Sequence, residues 1–325
     1  MHGWCTFASF SLLALLAGPA NAQSASFQFP ITGFVYSHTS RTVRPLLGVP
    51  GSTYVGSPVL TEVDSASIAP GGKWALITKS GRSAFVGGLP DLAPAEASAG
   101  GLLDPVDRVV WNRDGSVALL YSSSRSQLQR VRLSGNGVLA DPPVDLSPWG
   151  HLTTLAIDPT GRQIALGVAG SGLYLFDGGQ SPALLSSVAQ PAAATFDDTG
   201  RRLFAIDLET QRILEFDSGA GPLEFASLAQ ADGTAVTPAG LAVSGGGRYL
   251  LLADSTARTV RVYETASRNL ANTIPLDFAP SRLEPLSTRP VFLLNGDSGN
   301  EWLLLLDAMQ IPALSFVPAS QEEPL

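Results

Sequence analysis

LTTLAIDPTGRQIALGVAGSGLYLFDG, from Leu152 to Gly178, holds three short apolar strands and two turns. Its first turn, Pro159-Thr160-Gly161, carries the glycine whose positive φ a tight hairpin needs. The same phrase recurs along the chain. Upstream copies are SASIAPGGKWALITKSGRSAFVGGL at Ser65 and RVVWNRDGSVALLYSSSRSQLQRVRL at Arg108. Downstream copies are PAAATFDDTGRRLFAIDLETQRILEFDS at Pro191, PAGLAVSGGGRYLLLADSTARTVRVYET at Pro238 and PSRLEPLSTRPVFLLNGDSGNEWLLLLDA at Pro280. The turn glycines are Gly72, Gly115, Gly161, Gly200 and Gly247, with Thr288 in the sixth slot, at intervals of 43, 46, 39, 47 and 41 residues. A period in the low forties with about four strands per unit is the spacing of an all-β propeller.

The chemistry within a unit agrees. Strand two is nearly all apolar (Val117-Ala118-Leu119-Leu120, Tyr249-Leu250-Leu251-Leu252), as expected of a strand covered on both faces. Strand three alternates, as in Thr259-Val260-Arg261-Val262-Tyr263. Asp207, Asp254 and Asn295 end strand two and are placed to cap the turn that follows. Ala313–Val317 reads as a fourth strand. Six units run from Val63 to Pro318. Gln23–Glu62 adds one blade's length and contains SHTSRTVRPLLG, close to DSTARTVRVYET from Asp254. That match puts Phe34-Val35-Tyr36 and Thr42-Val43-Arg44 on strands two and three of a seventh blade; another register would make them strands three and four. Length favours a single seven-bladed ring, with six blades and a closing N-terminal hairpin as the alternative.

The runs LLLADSTARTVRVYE and RRLFAIDLETQRILEFD resemble the repeats of the YVTN and NHL propeller families: an apolar run, an Asp or Asn, a short polar turn and a Val/Ile-rich strand. The likeness covers Val63–Pro318 at repeat level only. It implies the fold and carries no particular function, since propellers host binding modules, scaffolds and enzymes alike.

Composition narrows the classes. With 33 Gly, 24 Pro and only 15% charged residues, the chain suits many short strands and turns, and 45% hydrophobic residues can fill a core. A net charge of −8 argues against nucleic acid as a partner. Phe7–Ala17 is an apolar run too short to span a bilayer, and Ala20-Asn21-Ala22 follows it as a cleavage signature, so residues 1–22 read as a signal peptide and Gln23 as the mature start. The expected organisation is therefore signal peptide 1–22, propeller 23–318 and tail 319–325. The product would be periplasmic or extracellular, monomeric and without a membrane span. The lone Cys5 falls in the leader, leaving no thiol nucleophile or disulfide.

Few residues carry an obvious chemistry. Gly296-Asp297-Ser298-Gly299 has the look of a serine-protease motif, but only His38 and His151 survive leader removal and neither has the setting of a catalytic base. The oxygens of Asn295, Asp297 and Asn300 could hold calcium, although any tight turn selects the same residues. Otherwise no cofactor is expected. Arg41, Arg82, Arg125 and Arg258 follow strand two in their units, with Arg212 one place off, and would form a cationic column on one face unless each pairs locally, as Arg212 could with Glu209. Trp149 and His151 sit in an inter-blade loop where propellers display ligand contacts.

Two functions follow from different classes. The leading expectation is a non-catalytic binding or scaffold module for a protein, glycan or small molecule. The alternative is a gluconolactonase-like hydrolase with a metal in the central funnel, which would need Asp158, Asp197, Glu284 or Asn112 to converge.

Overall fold

The computed structural model describes residues 30–318 apart from 98, 136, 178–180, 218–220, 230–234, 245, 296–302 and 310. The expected leader, the tail and most of the Asn295–Glu301 turn lie outside the described residues. What is described is all strand and turn, without a helix, arranged as seven antiparallel sheets around a ring.

Blade one holds β1 (Ile31–Ser37), β2 (Thr42–Val49) and β3 (Ser52–Val55). Blade two holds β4 (Ser65–Ile68), β5 (Trp74–Lys79), β6 (Arg82–Gly87) and β7 (Ala95–Ala97). Blade three holds β8 (Arg108–Trp111), β9 (Val117–Ser122), β10 (Gln127–Ser134) and β11 (Gly137–Ala140), with β12 (Val144–Asp145) added to β10. Blade four is β13 (Leu152–Ile157), β14 (Ile164–Val168), β15 (Gly172–Phe176) and β16 (Ala183–Ser186). Blade five is β17 (Pro191–Phe196), β18 (Arg202–Asp207), β19 (Arg212–Asp217) and β20 (Leu223–Ser227). Blade six is β21 (Pro238–Ser244), β22 (Tyr249–Asp254), β23 (Thr259–Glu264) and β24 (Leu270–Pro275). Blade seven is β25 (Glu284–Pro285), β26 (Val291–Leu293), β27 (Leu303–Asp307) and β28 (Ala313–Val317).

Sequence pattern explains the radial order. The second strands are buried along their length, β9 and β22 completely, because each is sandwiched between the sheets on either side. One cluster joins Leu119 and Val117 of blade three to Leu166 and Ile164 of blade four; another joins Phe204 and Ile206 of blade five to Leu250 and Leu252 of blade six. Burying each such Leu or Ile contributes about 1.5–3 kcal/mol, and only a neighbouring blade can cover it. Outer strands such as β24 are largely exposed.

Turns after strand one lie on what we term the lower face, and turns after strand two on the upper. At the lower face Gly72, Gly115, Gly161, Gly200 and Gly247 all have φ between 69° and 85°. At the upper face five non-glycine residues hold φ between 51° and 53°: Ser80, and the four equivalent residues Arg41, Ser126, Gln211 and Arg258. The carbonyls of these equivalent residues accept the N–H of Val63, Leu146, Leu228 and Leu276 at 2.7–2.9 Å. Those four side chains are buried plugs in the link to the next blade. This device recurs in the chain, yet it is invisible to a search for turn glycines.

Blade one departs from the pattern. Ser37 pairs with Thr42 as Asp254 pairs with Thr259, and Arg41 has the backbone of Arg258. The segment therefore supplies strands two and three, as the SHTSRTVRPLLG match predicts, with β3 as the fourth. Among the described residues this blade has no innermost strand, so β1 itself faces the axis. The ring closes by packing: Val35 and Leu46 join Val291, Leu293 and Leu305 of blade seven, while Phe34 and Val43 join Ala75 and Ile77 of blade two. Beneath β1 the Gly71 N–H donates to the Leu286 carbonyl at 3.0 Å, linking blades two and seven directly.

One turn glycine on each face gives a test. Gly161 combines φ 74° with a position where a Cβ would overlap the Val117 side chain, whereas Gly170, φ 69°, has open space around it. Gly170→Ala should cost about 1 kcal/mol from backbone strain alone, and Gly161→Ala about 2–3 kcal/mol. Thermal unfolding of both variants checks this; equal losses would show that the contact with Val117 is slack.

Candidate functional site

The inner strands run side by side without pairing, so their outward backbone edges face a common axis. Side chains lace them instead. Trp111 Nε1 donates to Ser67 Oγ at 2.9 Å, Arg108 Nη1 to the Thr153 carbonyl at 3.0 Å, and Thr153 Oγ1 to the Pro191 carbonyl at 2.5 Å. Two cavities lie along the axis and share Val110, Leu155, Leu241 and Leu283 as a waist. The larger, about 690 Å³, reaches from the upper face down to Leu286 and includes β1 through Phe34, Val35 and Tyr36. Its charged groups are Asp107, Arg108, Arg282 and Glu284. The smaller, about 220 Å³, opens at the lower face.

The polar groups of the upper cavity are engaged. Arg282 pairs with Glu284 at 2.9 Å. Asp107 accepts the N–H and hydroxyl of Ser123, and these bonds lower its pKa. The Tyr36 hydroxyl lies 2.7 Å from the Asp64 carbonyl and 3.0 Å from that of Val63. Burial raises its pKa, against the pull of Arg41.

The carboxylates that a metal-dependent hydrolase would converge do not meet. Asp158 accepts the backbone N–H of Arg162 at 2.7 Å and of Gln163 at 3.0 Å, with the Thr160 hydroxyl at 2.6 Å. Asp197 does the same in its blade, and Arg202 Nε reaches it at 3.1 Å. Asn112 holds the Val117 N–H at 2.8 Å and donates to the Pro159 carbonyl of the next blade at 3.0 Å. All three are buried turn caps. Among the described residues no three His, Cys, Asp or Glu side chains group as a metal would require. The upper caps behave as the pattern predicts. Asp254, wholly buried, accepts the N–H of Thr237, Thr256 and Ala257 and pairs with Arg261 at 3.3 Å. Asp207 binds the Gln190 and Glu209 N–H groups. Each ties the end of strand two to the link that enters the blade.

The arginine column resolves into unlike members. Arg41 and Arg258 occupy the left-handed position of their turns, Arg125 precedes it and Arg82 and Arg212 follow it. Arg41 pairs with Asp64. Arg212 pairs with Glu224 across β19 and β20 at 3.2 Å, not with Glu209, because strand pairing brings Glu224 alongside. Arg82, Arg125 and Arg258 are exposed and make no ion pair among the described residues. Trp149 is half-buried against the cluster that holds Leu146 and Leu152, and His151 is exposed at the start of β13. Neither lines either axial cavity. Asn295 is buried at the end of strand two, while Asp297 and Asn300 lie outside the described residues.

Sequence reading missed a second cationic series. A basic residue follows the lower turn residue in five blades: Lys73, Arg162, Arg201, Arg248 and, after Thr288, Arg289. All five are exposed. The signal was in the aligned repeats, one place beyond the glycines.

No protein-family model matches the chain, and no curated protein matches it. Solved structures share the fold at low identity. A functionally unknown protein from Desulfotomaculum acetoxidans DSM 771 superposes with a TM-score of 0.58 at 14% identity, covering 90% of this chain and 100% of that one. Kuenenia stuttgartiensis hydrazine synthase gives 0.56 at 12%, over 93% and 100%. A chain of the nidogen–laminin complex gives 0.52 at 15%, over 78% and 98%. These likenesses establish the propeller and nothing about activity.

The Asp197 cap makes a pH prediction. Hydrogen bonds from Thr199 and Arg202 outweigh its burial and hold its folded-state pKa below the unfolded value. Its contribution is therefore full above the ordinary carboxylate range and fades as pH falls through the folded pKa. Asp197→Asn should cost about 1–3 kcal/mol at pH 7 and progressively less in acid. Denaturant titrations at pH 7 and pH 3 check this; a loss that did not shrink in acid would deny the carboxylate that role.

Proposed function

We propose that the chain is an exported, non-catalytic propeller that binds a ligand through its axial opening. The central cavity carries the reading: about 690 Å³ lies within the size range of small-molecule sites, and backbone edges and a few polar groups wall it. The fold is often a binding module, and the capped state of Asp158, Asp197 and Asn112 leaves those groups little freedom to act on a substrate. The YVTN- and NHL-like character of the repeats supports binding no further than the fold does. Export rests on the Phe7–Ala17 run and Ala20-Asn21-Ala22. No helix among the described residues is long and apolar enough to cross a membrane. The reading needs no resident cofactor; calcium at Asn295, Asp297 and Asn300 would be an addition to it.

The test uses protein collected from the exported fraction. N-terminal sequencing should begin at Gln23. A thermal-shift screen of saccharides, peptides and organic acids should find a ligand whose effect disappears in Ser65→Trp, which places bulk at an exposed position of the upper mouth. A ligand that stabilises parent and variant alike would remove the upper cavity from the proposal. Chelator-sensitive lactone hydrolysis by the purified chain would replace the binding role with a hydrolase.

A further inference from the structure

The turns after strand one are cationic in balance, although the molecule as a whole is acidic. The chain carries −8 overall, yet the turns around the lower mouth project Lys73, Arg162, Arg201, Arg248 and Arg289, one from each of five blades. Blade three has Ser116 in that place and Arg113 three residues earlier. The acids among these turns are turned inward or engaged. Asp158 and Asp197 are buried caps, Asp198 pairs with Arg113, and Asp114 binds Ser116 with Lys73 nearby. Arg248 lies over the Tyr249 ring at 4.9 Å. Arg162 and Arg289 make no ion pair among the described residues.

Within this ring opens the lower cavity of about 220 Å³. Beyond the shared waist its wall carries Ile157, Phe196, Val243 and Phe292, beside Thr195 and the Asp197 carboxylate that caps its own turn, and its mouth carries the Arg113–Asp198 pair, Thr288 and Arg289, which makes no ion pair among the described residues. A chamber walled largely by apolar side chains, with such a guanidinium at its opening, matches a molecule with the opposite arrangement. We propose that the lower mouth is a second ligand site, distinct from the upper cavity, for a small organic anion. Its aromatic or branched aliphatic body would fill the chamber and its carboxylate would meet Arg289. A guanidinium presents the planar donor fork that a carboxylate accepts. The surrounding cations raise the local anion concentration and speed capture, an effect that salt screens within about 8 Å at physiological ionic strength.

Benzoate is the probe and benzamide its neutral counterpart, titrated into the full exported chain by calorimetry and by NMR at low salt. Benzoate should bind with a dissociation constant of about 1 mM or tighter, in keeping with its few atoms, and benzamide about tenfold more weakly. Arg289→Gln, an exposed change that should leave the melting temperature alone, should abolish the preference between the two. Lys73→Gln with Arg162→Gln should weaken benzoate, flatten its salt dependence and leave benzamide unchanged. Ser65→Trp at the upper mouth should change none of these values, so failure here and failure of the upper-cavity reading are separable. Equal binding of the two probes, an unaffected Arg289→Gln variant, or no binding of either would overturn the proposal. So would inorganic sulfate displacing benzoate at equal affinity, which would reduce the site to surface charge. Heparin binding in the absence of benzoate binding would make the ring a polyanion surface and refute the small-ligand site.

Discussion

Each blade has two apolar faces, and no arrangement short of a closed ring covers both. That constraint accounts for most of the molecule. It makes the middle of each second strand apolar, since β9 or β22 meets a neighbouring sheet on either side. It also fixes what blade one must do. Three strands suffice there because Val35 and Leu46 face blade seven and Phe34 and Val43 face blade two. The three described strands already present apolar surface on both sides. At its foot, blades two and seven meet through Gly71 and Leu286. Closure thus rests on side-chain packing and one backbone bond, with no strand shared between the first and last sheets among the described residues.

The fold was legible because its signals are local and repeated. Turn glycines such as Gly161 must sit where φ is positive, and strand two must be apolar, so the period shows in single residues. Blade one was legible through one turn, since Ser37–Arg41 repeats the geometry of Asp254–Arg258. That the described residues of this blade hold no inner strand was not, because the turn match fixes only the strands on either side of Ser37–Arg41. The plugs Val63, Leu146, Leu228 and Leu276 were hidden for a different reason: their hydrogen-bond partners are non-glycine residues in a left-handed conformation, which composition does not announce.

Site residues were harder to read because a propeller's turns select the same residues as its chemistry would. Asp158, Asp197 and Asn112 look like convergent acids and amides on paper, and each satisfies its own turn. Arg212 looked paired to a neighbour in sequence, yet strand pairing gave it Glu224. The lower series went unread in one dimension, where only the upper arginines stood out as a column. Only the ring separates a loose upper set, spread over three turn positions, from a lower set that surrounds a cavity mouth.

The three-stranded blade has a consequence for the axis. A regular seven-fold opening presents the same wall in every direction, so a guest inside it has many equivalent poses. Among the described residues six walls are inner-strand edges and the seventh is β1, with Tyr36 and the buried Phe34 behind the opening. The channel thereby acquires a back and a front. A molecule entering from the upper face would meet one distinct wall instead of seven equivalent ones, and so one favoured azimuth about the axis.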